Sequence, residues 1–359
     1  MPHRGSIKRL LPGGNTSIGF YSYFQNIIDL KKANKVFFFK GGPGTGKSSM
    51  MKKIGHVMEE KGYDIEFHHC SADPDSIDAV VIPKLKIVMI DGTAPHVMDP
   101  KYPGAIDTII HLGEYWQEEG LREKRKEIIE SIDENGKIYK RVYKYLAAAK
   151  LIHDDMEWTY NQAMDFLKVN QLTKKVIERF FRDIKEQDKI AAERHLFGSA
   201  YTHLGHIDFA ETYIGDIKNI YYIKGAPGTG KSTLLDKIAR KATENGYDIE
   251  IYHEPLEPDK IESVVIPELE LAFTTNSKFK GKETFNLNQF ISYEKLNKYK
   301  DELEYSEALF KQLIDDVAYN LKRTKKNHDY IEDYYVPNLR FEEIDILREQ
   351  LIEEILTYR

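Results

Sequence analysis

The side chains with the most chemical promise lie in two eight-residue segments, Gly41-Gly42-Pro43-Gly44-Thr45-Gly46-Lys47-Ser48 and Gly225-Ala226-Pro227-Gly228-Thr229-Gly230-Lys231-Ser232. Both obey the spacing G-x-x-x-x-G-K-[ST]. Glycines open backbone dihedrals closed to other residues and let the chain approach a ligand. The loop N–H groups then converge into an anion nest, and a helix starting at the Lys-Ser pair adds its positive end. The lysine would reach the β- and γ-phosphates of a nucleoside triphosphate, and the serine hydroxyl would ligate Mg²⁺. Candidate phosphate-binding residues are Gly42, Pro43, Gly44, Thr45, Gly46, Lys47, Ser48 and Ser49 in the first segment. In the second they are Ala226, Pro227, Gly228, Thr229, Gly230, Lys231, Ser232 and Thr233.

Such a loop needs a carboxylate at the end of a second apolar strand to hold the water shell of the cation. Ile87-Val88-Met89-Ile90-Asp91 fits, although Asp91-Gly92 also suits a simple turn. Candidate metal ligands are therefore Ser48, Asp91 and Ser232. The matched position in the second half is Thr275, so the carboxylate is missing there, with Glu254, Glu257 or Asp259 as substitutes. The second site is expected to bind nucleotide and turn it over poorly. The Pro- and Gly-rich stretch 91–104 offers His96 and Asp99 for proton transfer or substrate contact, against the plainer reading of an ordered surface loop. The candidate catalytic set is Lys47, Asp91 and His96. The segment His68–Asp75 reappears as Tyr252–Asp259, keeping a His, a Pro and an Asp. Asp75 there suits either a helix cap or a ligand contact. Arg9 and Arg194 precede the loop strands in both halves and are candidates for an arginine finger across a pseudo-two-fold.

The elements that would position these residues come as a duplication. Residues 38–86 and 222–270 align without a gap, with roughly half the positions identical. Arg9, Gly13, Thr16 and Gly19 line up with Arg194, Gly198, Thr202 and Gly205; Lys150, His153, Asp154, Glu157 and Tyr160 match Lys325, His328, Asp329, Glu332 and Tyr335. The offset is 184 at the loops (Lys47 to Lys231) and 175 at the later histidines (His153 to His328), so the second copy lacks nine residues, 184 minus 175, somewhere after Asp91. In each half a strand (36–39; 221–223) runs into the loop, and a helix (48–61; 232–245) stops at Gly62 or Gly246. Further strands follow at 65–69 or 249–253 and at 85–90 or 269–274. Such alternation indicates an α/β fold with a parallel sheet flanked by helices. A charged helical segment then follows, read as a hairpin or small bundle attached to its own core. The expected division is 1–190 (core 1–112, helical 113–190) and 191–359 (core 191–287, helical 288–359).

The two loops resemble the Walker A motif of the P-loop NTPase superfamily, over about 35–112 and 219–275. The resemblance implies two duplicated P-loop cores, each a doubly wound parallel sheet with nucleotide at the strand ends. The whole chain, including Gly13-Gly14-Asn15-Thr16 and the stretch 91–96, resembles a group of bacterial proteins with two fused P-loop ATPase-like halves. In hydrolytic members of the superfamily a glutamate often follows the strand-end aspartate to polarise water; here that residue is Gly92. ATP with Mg²⁺ is the expected ligand, since no N-K-x-D stretch suited to guanine occurs.

Composition narrows the class. Of 359 residues, 41% are hydrophobic and 31% charged, and the net charge of -6 argues against a dedicated nucleic-acid binder. The single cysteine, Cys70, precludes an intrachain disulfide, and no apolar run has the length of a membrane span or signal peptide. A cytoplasmic protein is expected. Three readings follow: an ATP-hydrolysing switch acting on an unidentified protein partner, a kinase for an unidentified small-molecule or nucleotide acceptor, and a non-catalytic nucleotide-sensing scaffold.

Overall fold

The computed structural model describes residues 4–94 and 97–358. The first half runs β1 (Ile7–Leu10), β2 (Gly13–Thr16), β3 (Gly19–Ser22), β4 (Lys35–Lys40), α1 (Lys47–Glu60), β5 (Ile65–His69), β6 (Ile77–Ile82), β7 (Ile87–Asp91), β8 (Asp107–His111), α2 (Glu118–Glu123), α3 (Arg125–Ala163) and α4 (Phe166–Phe181). The second runs β9 (Glu193–Phe197), β10 (Ser199–Thr202), β11 (Gly205–Asp208), α5 (Ala210–Ile214), β12 (Asn219–Lys224), α6 (Lys231–Glu244), β13 (Ile249–His253), β14 (Ile261–Ile266), β15 (Leu271–Thr274), β16 (Glu283–Asn286), α7 (Tyr293–Leu296), α8 (Lys300–Tyr335) and α9 (Phe341–Leu356).

Each half is an α/β unit with a six-stranded sheet. The orders are β1-β5-β6-β7-β4-β8 and, read from the matching edge, β9-β13-β14-β15-β12-β16. Both sheets are mixed rather than parallel, which corrects the expectation from sequence. β6 and β14 run antiparallel to both neighbours, while the remaining pairings are parallel. The cause is connection length. Only residues 70–76 join β5 to β6, far short of the dozen or more that a parallel crossover requires. β4 is buried on both faces, which explains its unbroken apolar run. Phe37 and Phe39 pack beneath Met50, Met51, Ile54 and Met58 of α1, while Val36 and Phe38 face Phe24 and Ile27. Gly62 and Gly246 follow α1 and α6 with φ of 87° and 81°, the left-handed conformation that ends a helix.

The helical segments do not return to their own sheets. Val169, Val176 and Phe181 of α4 complete the core of the second half, against Leu234, Leu235 and Ile238 of α6. Ile344, Leu351, Ile352 and Ile355 of α9 complete the core of the first half, against α1. The last helix of each half is thus exchanged, and the long helices α3 and α8 pack along each other with Val142, Leu146 and Ala149 against Val317 and Leu321. α3 has 39 residues and so spans about 58 Å at 1.5 Å per residue, enough to carry the chain from one core to the other.

A pseudo-two-fold axis passes between β1 and β9, where Leu11 and Phe197 exchange reciprocal backbone hydrogen bonds, both 3.0 Å. The strand registers correct one detail of the sequence alignment. Lys8 lies opposite Glu66, and Arg194 lies opposite Glu250, so the counterpart of Arg194 is Lys8 rather than Arg9. Ser199 likewise pairs as Gly13 does, in place of Gly198. The missing nine residues lie between β15 and β16: Phe38 pairs with Ile109, and its counterpart Tyr222 pairs with Thr284.

Candidate functional site

Each glycine loop leaves the carboxyl end of its strand and turns directly into a helix. Gly44 and Gly46 have φ of 68° and 80°, and Gly228 and Gly230 have 70° and 93°. Non-glycine residues pay for such dihedrals, and the match between loops shows one backbone shape built twice. Thr45 and Thr229 lock that shape by donating to the carbonyls of Gly42 (2.9 Å) and Ala226 (2.8 Å). Ser48 and Ser232 each accept from the first amide of the antiparallel strand, Ile77 and Ile261, both at 2.9 Å. Each serine oxygen keeps a lone pair for another partner.

In the first half Lys47 folds over its loop, donating to the carbonyls of Gly41 (2.8 Å) and Gly42 (2.9 Å). Its ammonium stands 3.6 Å from Asp91, because β7 is the parallel neighbour of β4. Burial pushes the Lys47 ammonium down, and the Asp91 charge partly opposes that. Asp91 also accepts from the backbone N–H of Thr93 (2.9 Å) and from its hydroxyl. Lys40 clamps the following loop through Gly92 O (2.7 Å), Met98 O (2.8 Å) and Asp99 (2.9 Å). Asp99, offered above for proton transfer, is therefore a counter-ion of Lys40. His96 lies outside the described residues.

The second site differs where the sequence said it would. The Thr275 hydroxyl donates to the Glu262 carbonyl (3.3 Å), and no carboxylate among the described residues comes within ion-pair distance of Lys231. Burial lowers the Lys231 ammonium, opposed by the more distant charges of Glu254 and Glu157. Of the possible substitutes, Glu254 is the nearest in effect, and burial raises its own carboxyl. Burial also pushes Glu257 up, but hydrogen bonds from His153 (3.1 Å) and Lys260 (2.8 Å) outweigh it and hold the carboxyl down to about 2. Asp259 is exposed. A cavity of about 180 Å³ adjoins Glu254, lined also by His153, Tyr201, His206, Glu262 and Phe310.

The histidines of the 68–75 segment and its copy are packing groups, and the arginine-finger expectation fails at Arg194. His69 shares a hydrogen bond with the Pro74 carbonyl (2.7 Å) and packs on Phe209; His253 meets His195 (2.9 Å) and stacks on Tyr23. Burial pushes both rings down to about 4, so they are neutral packing groups between the halves rather than phosphate contacts. The cap of the 73–76 turn is Asp73, which accepts from the N–H of Asp75 (3.1 Å) and the hydroxyl of Ser76 (3.2 Å). Arg194 is committed to Glu66 (2.6 and 3.0 Å), Glu250 (3.2 Å) and the carbonyls of Asn26 (3.0 Å) and Ile27 (2.8 Å), and no guanidinium group remains for a phosphate. Arg9 is exposed, its backbone tied to Thr212.

No family model, curated protein or solved structure matches the chain.

Sequence reasoning missed the residues that cover each loop. A Cβ built on Gly44 would sit 3.2 Å from Tyr335, 3.3 Å from Val336 and 3.4 Å from Glu332, all at the end of α8. One built on Gly228 would sit 2.5 Å from the Glu157 carbonyl and 3.0 Å from Asn161, at the end of α3. Each loop thus lies beneath the long helix of the other half. Gly42 is covered by Trp116, whose ring is 5.7 Å from that of Tyr335. The signal was present in the sequence as Lys-x-x-His-Asp-x-x-Glu-x-x-Tyr, repeated at 150–160 and 325–335. That spacing places its residues along one helix face. Lys150 approaches Glu257 (3.4 Å), and Lys325 approaches the matching Asp73 (3.3 Å).

Proposed function

We propose that the chain is an ATP-binding P-loop NTPase with two unequal nucleotide sites, the first hydrolysing ATP with Mg²⁺ and the second binding it in a regulatory role. The observation that carries this reading is the largely covered Lys47 beside Asp91, held by a left-handed glycine loop at the ends of two adjacent parallel strands. The loop amides and the start of α1 would receive the phosphates, and Lys47 would leave its own loop carbonyls for the β- and γ-oxygens. Ser48 Oγ and Asp91 form an all-oxygen donor pair, which suits a hard cation that keeps most of its waters. When bound, Mg²⁺ would neutralise charge developing on the phosphates.

The second loop keeps the same cradle around Lys231 without the carboxylate, which supports binding over turnover. Its adjoining cavity favours a second reading for that site alone, in which a small acceptor seated near Glu254 takes the phosphoryl group. ADP release with water alone, and then with a panel of small hydroxyl and amine acceptors, separates the two. Lys47→Ala is expected to abolish ADP release into water, and Lys231→Ala to leave more than half of it. Equal losses from both would refute the division of labour.

A further inference from the structure

The repeated face of α3 and α8 has no part in the reading above, yet each copy stands over the glycine loop of the other half. The two copies differ in ionic state. Glu157 over the second loop is paired with Lys260 at 2.6 Å. Lys260 is the counterpart of Ser76, 260 minus 184, so the first site has a hydroxyl where the second has an ammonium. Glu332 over the first loop meets no lysine or arginine among the described residues; the His328 ring stands 3.7 Å from its carboxylate. Its side chain is 37% exposed, and its charge acts on Lys47.

Among the described residues, the first site also lacks a water-activating group of its own. Gly92 follows Asp91, and a Cβ there would stand 2.8 Å from the Met98 carbonyl and 3.1 Å from Lys40 Nζ. The clamp that Lys40 places on this loop leaves no room for a glutamate at that position. Among the described residues, the carboxylate that stands over this loop is one that α8 brings from the other half.

We propose that Glu332 is the general base of the first site, supplied across the interface between the halves. This rests on the hydrolytic reading of that site. The water oxygen bonds to the γ-phosphorus while the bond from that phosphorus to the bridging oxygen breaks, its electron pair leaving with ADP. The water proton passes to the Glu332 carboxylate and from there to solvent. ATP and water become ADP, phosphate and a proton. His328, within reach of the same carboxylate, is a positioning residue. The second site stays slow on two counts, the missing aspartate and a base held by Lys260.

The test measures turnover and binding separately. Trp116 lies against Gly42, so in a Trp158→Phe background, which leaves it the sole tryptophan, its fluorescence reports nucleotide at the first loop. Glu332→Gln is expected to lower kcat by about 100-fold or more, in the range for loss of a general base, with the Kd for MgATP within about twofold of the parent. Ser76→Lys, which places an ammonium where the second half has Lys260, is expected to lower kcat in the same direction without touching Glu332. Turnover of Glu332→Gln within about threefold of the parent would overturn the proposal while leaving the hydrolytic reading intact. No ADP release by the parent protein above the protein-free rate would instead remove the hydrolytic reading, and this proposal with it.

Discussion

Arg194→Ala probes the joint between the halves. The Arg194 guanidinium makes a bidentate pair with Glu66 and single bonds to Glu250 and to the carbonyls of Asn26 and Ile27. Glu66 is 7% exposed. Burial alone would raise its carboxyl, but the Arg194 charge and the Arg194 hydrogen bonds outweigh that, with the His68 ring 3.5 Å away, and hold it well below its ordinary 4.5. Removing one partner of such a pair strands a buried charge and costs about 3–5 kcal/mol, more than the pair contributes against an apolar substitute. The pH dependence has a definite sign. A depressed carboxylate contributes stability that is present above its unfolded value and lost as pH falls through the folded value. In Arg194→Ala, burial is left to raise Glu66 instead. The deficit of the variant should therefore be largest near pH 7 and narrow as pH falls, first because the stranded, raised carboxylate takes up a proton above pH 4.5, and then because the parent loses the contribution of its depressed carboxylate below about pH 4.5. Urea unfolding at both pH values measures it, and the double variant Arg194→Met/Glu66→Met should recover most of the loss. A deficit below about 1 kcal/mol at pH 7, or one equal at pH 7 and pH 4, would refute the account.

Two further outcomes follow from burial. Ile355→Ala, at a fully buried position in α9, should destabilise by about 2–5 kcal/mol, and hydrogen exchange should quicken first in β4 and β7 of the other half rather than in β12 and β15. Glu262 is raised to about 8 by burial, with Glu254 and Asp208 adding to it; a raised carboxyl stabilises below its unfolded value and loses that contribution as pH climbs to the folded one. Wild-type stability should thus decline between about pH 4.5 and pH 8, and Glu262→Gln should flatten that slope in thermal melts; an unchanged slope would mean Glu262 is ionised throughout.

Local features were legible from sequence because local physics decides them. The loops, the helices they start, Gly62 and Gly246 as stops and Thr275 in place of Asp91 all depend on a few neighbouring residues. Strands β6 and β14 were overlooked although their apolar runs, Ala79–Ile82 and Val264–Ile266, lie inside the aligned repeat; continuous apolar residues do not announce direction, and the short 70–76 connection was the missing clue. The one-residue error at Arg194 arose because an arginine was matched to an arginine, while the ladder places Lys8 there, opposite Glu66, the counterpart of Glu250. The destination of α4 and α9 was not readable at all. Val169, Val176 and Phe181 would suit either of two near-identical cores, and only the length of α3 decides which one they reach.

The exchanged helices also change what kind of equilibrium holds the molecule closed. A chain with a single repeat, built this way, would leave one core uncovered and one apolar helix face bare, and could satisfy both only by pairing with a second copy. Its closure would then depend on protein concentration. Two repeats in one chain make the same closure a unimolecular event at the high effective concentration that a tether provides. Covalent linkage also releases the two loops from the identity that a symmetric pair imposes, so that one can keep Asp91 and Ser76 while its twin carries Thr275 and Lys260.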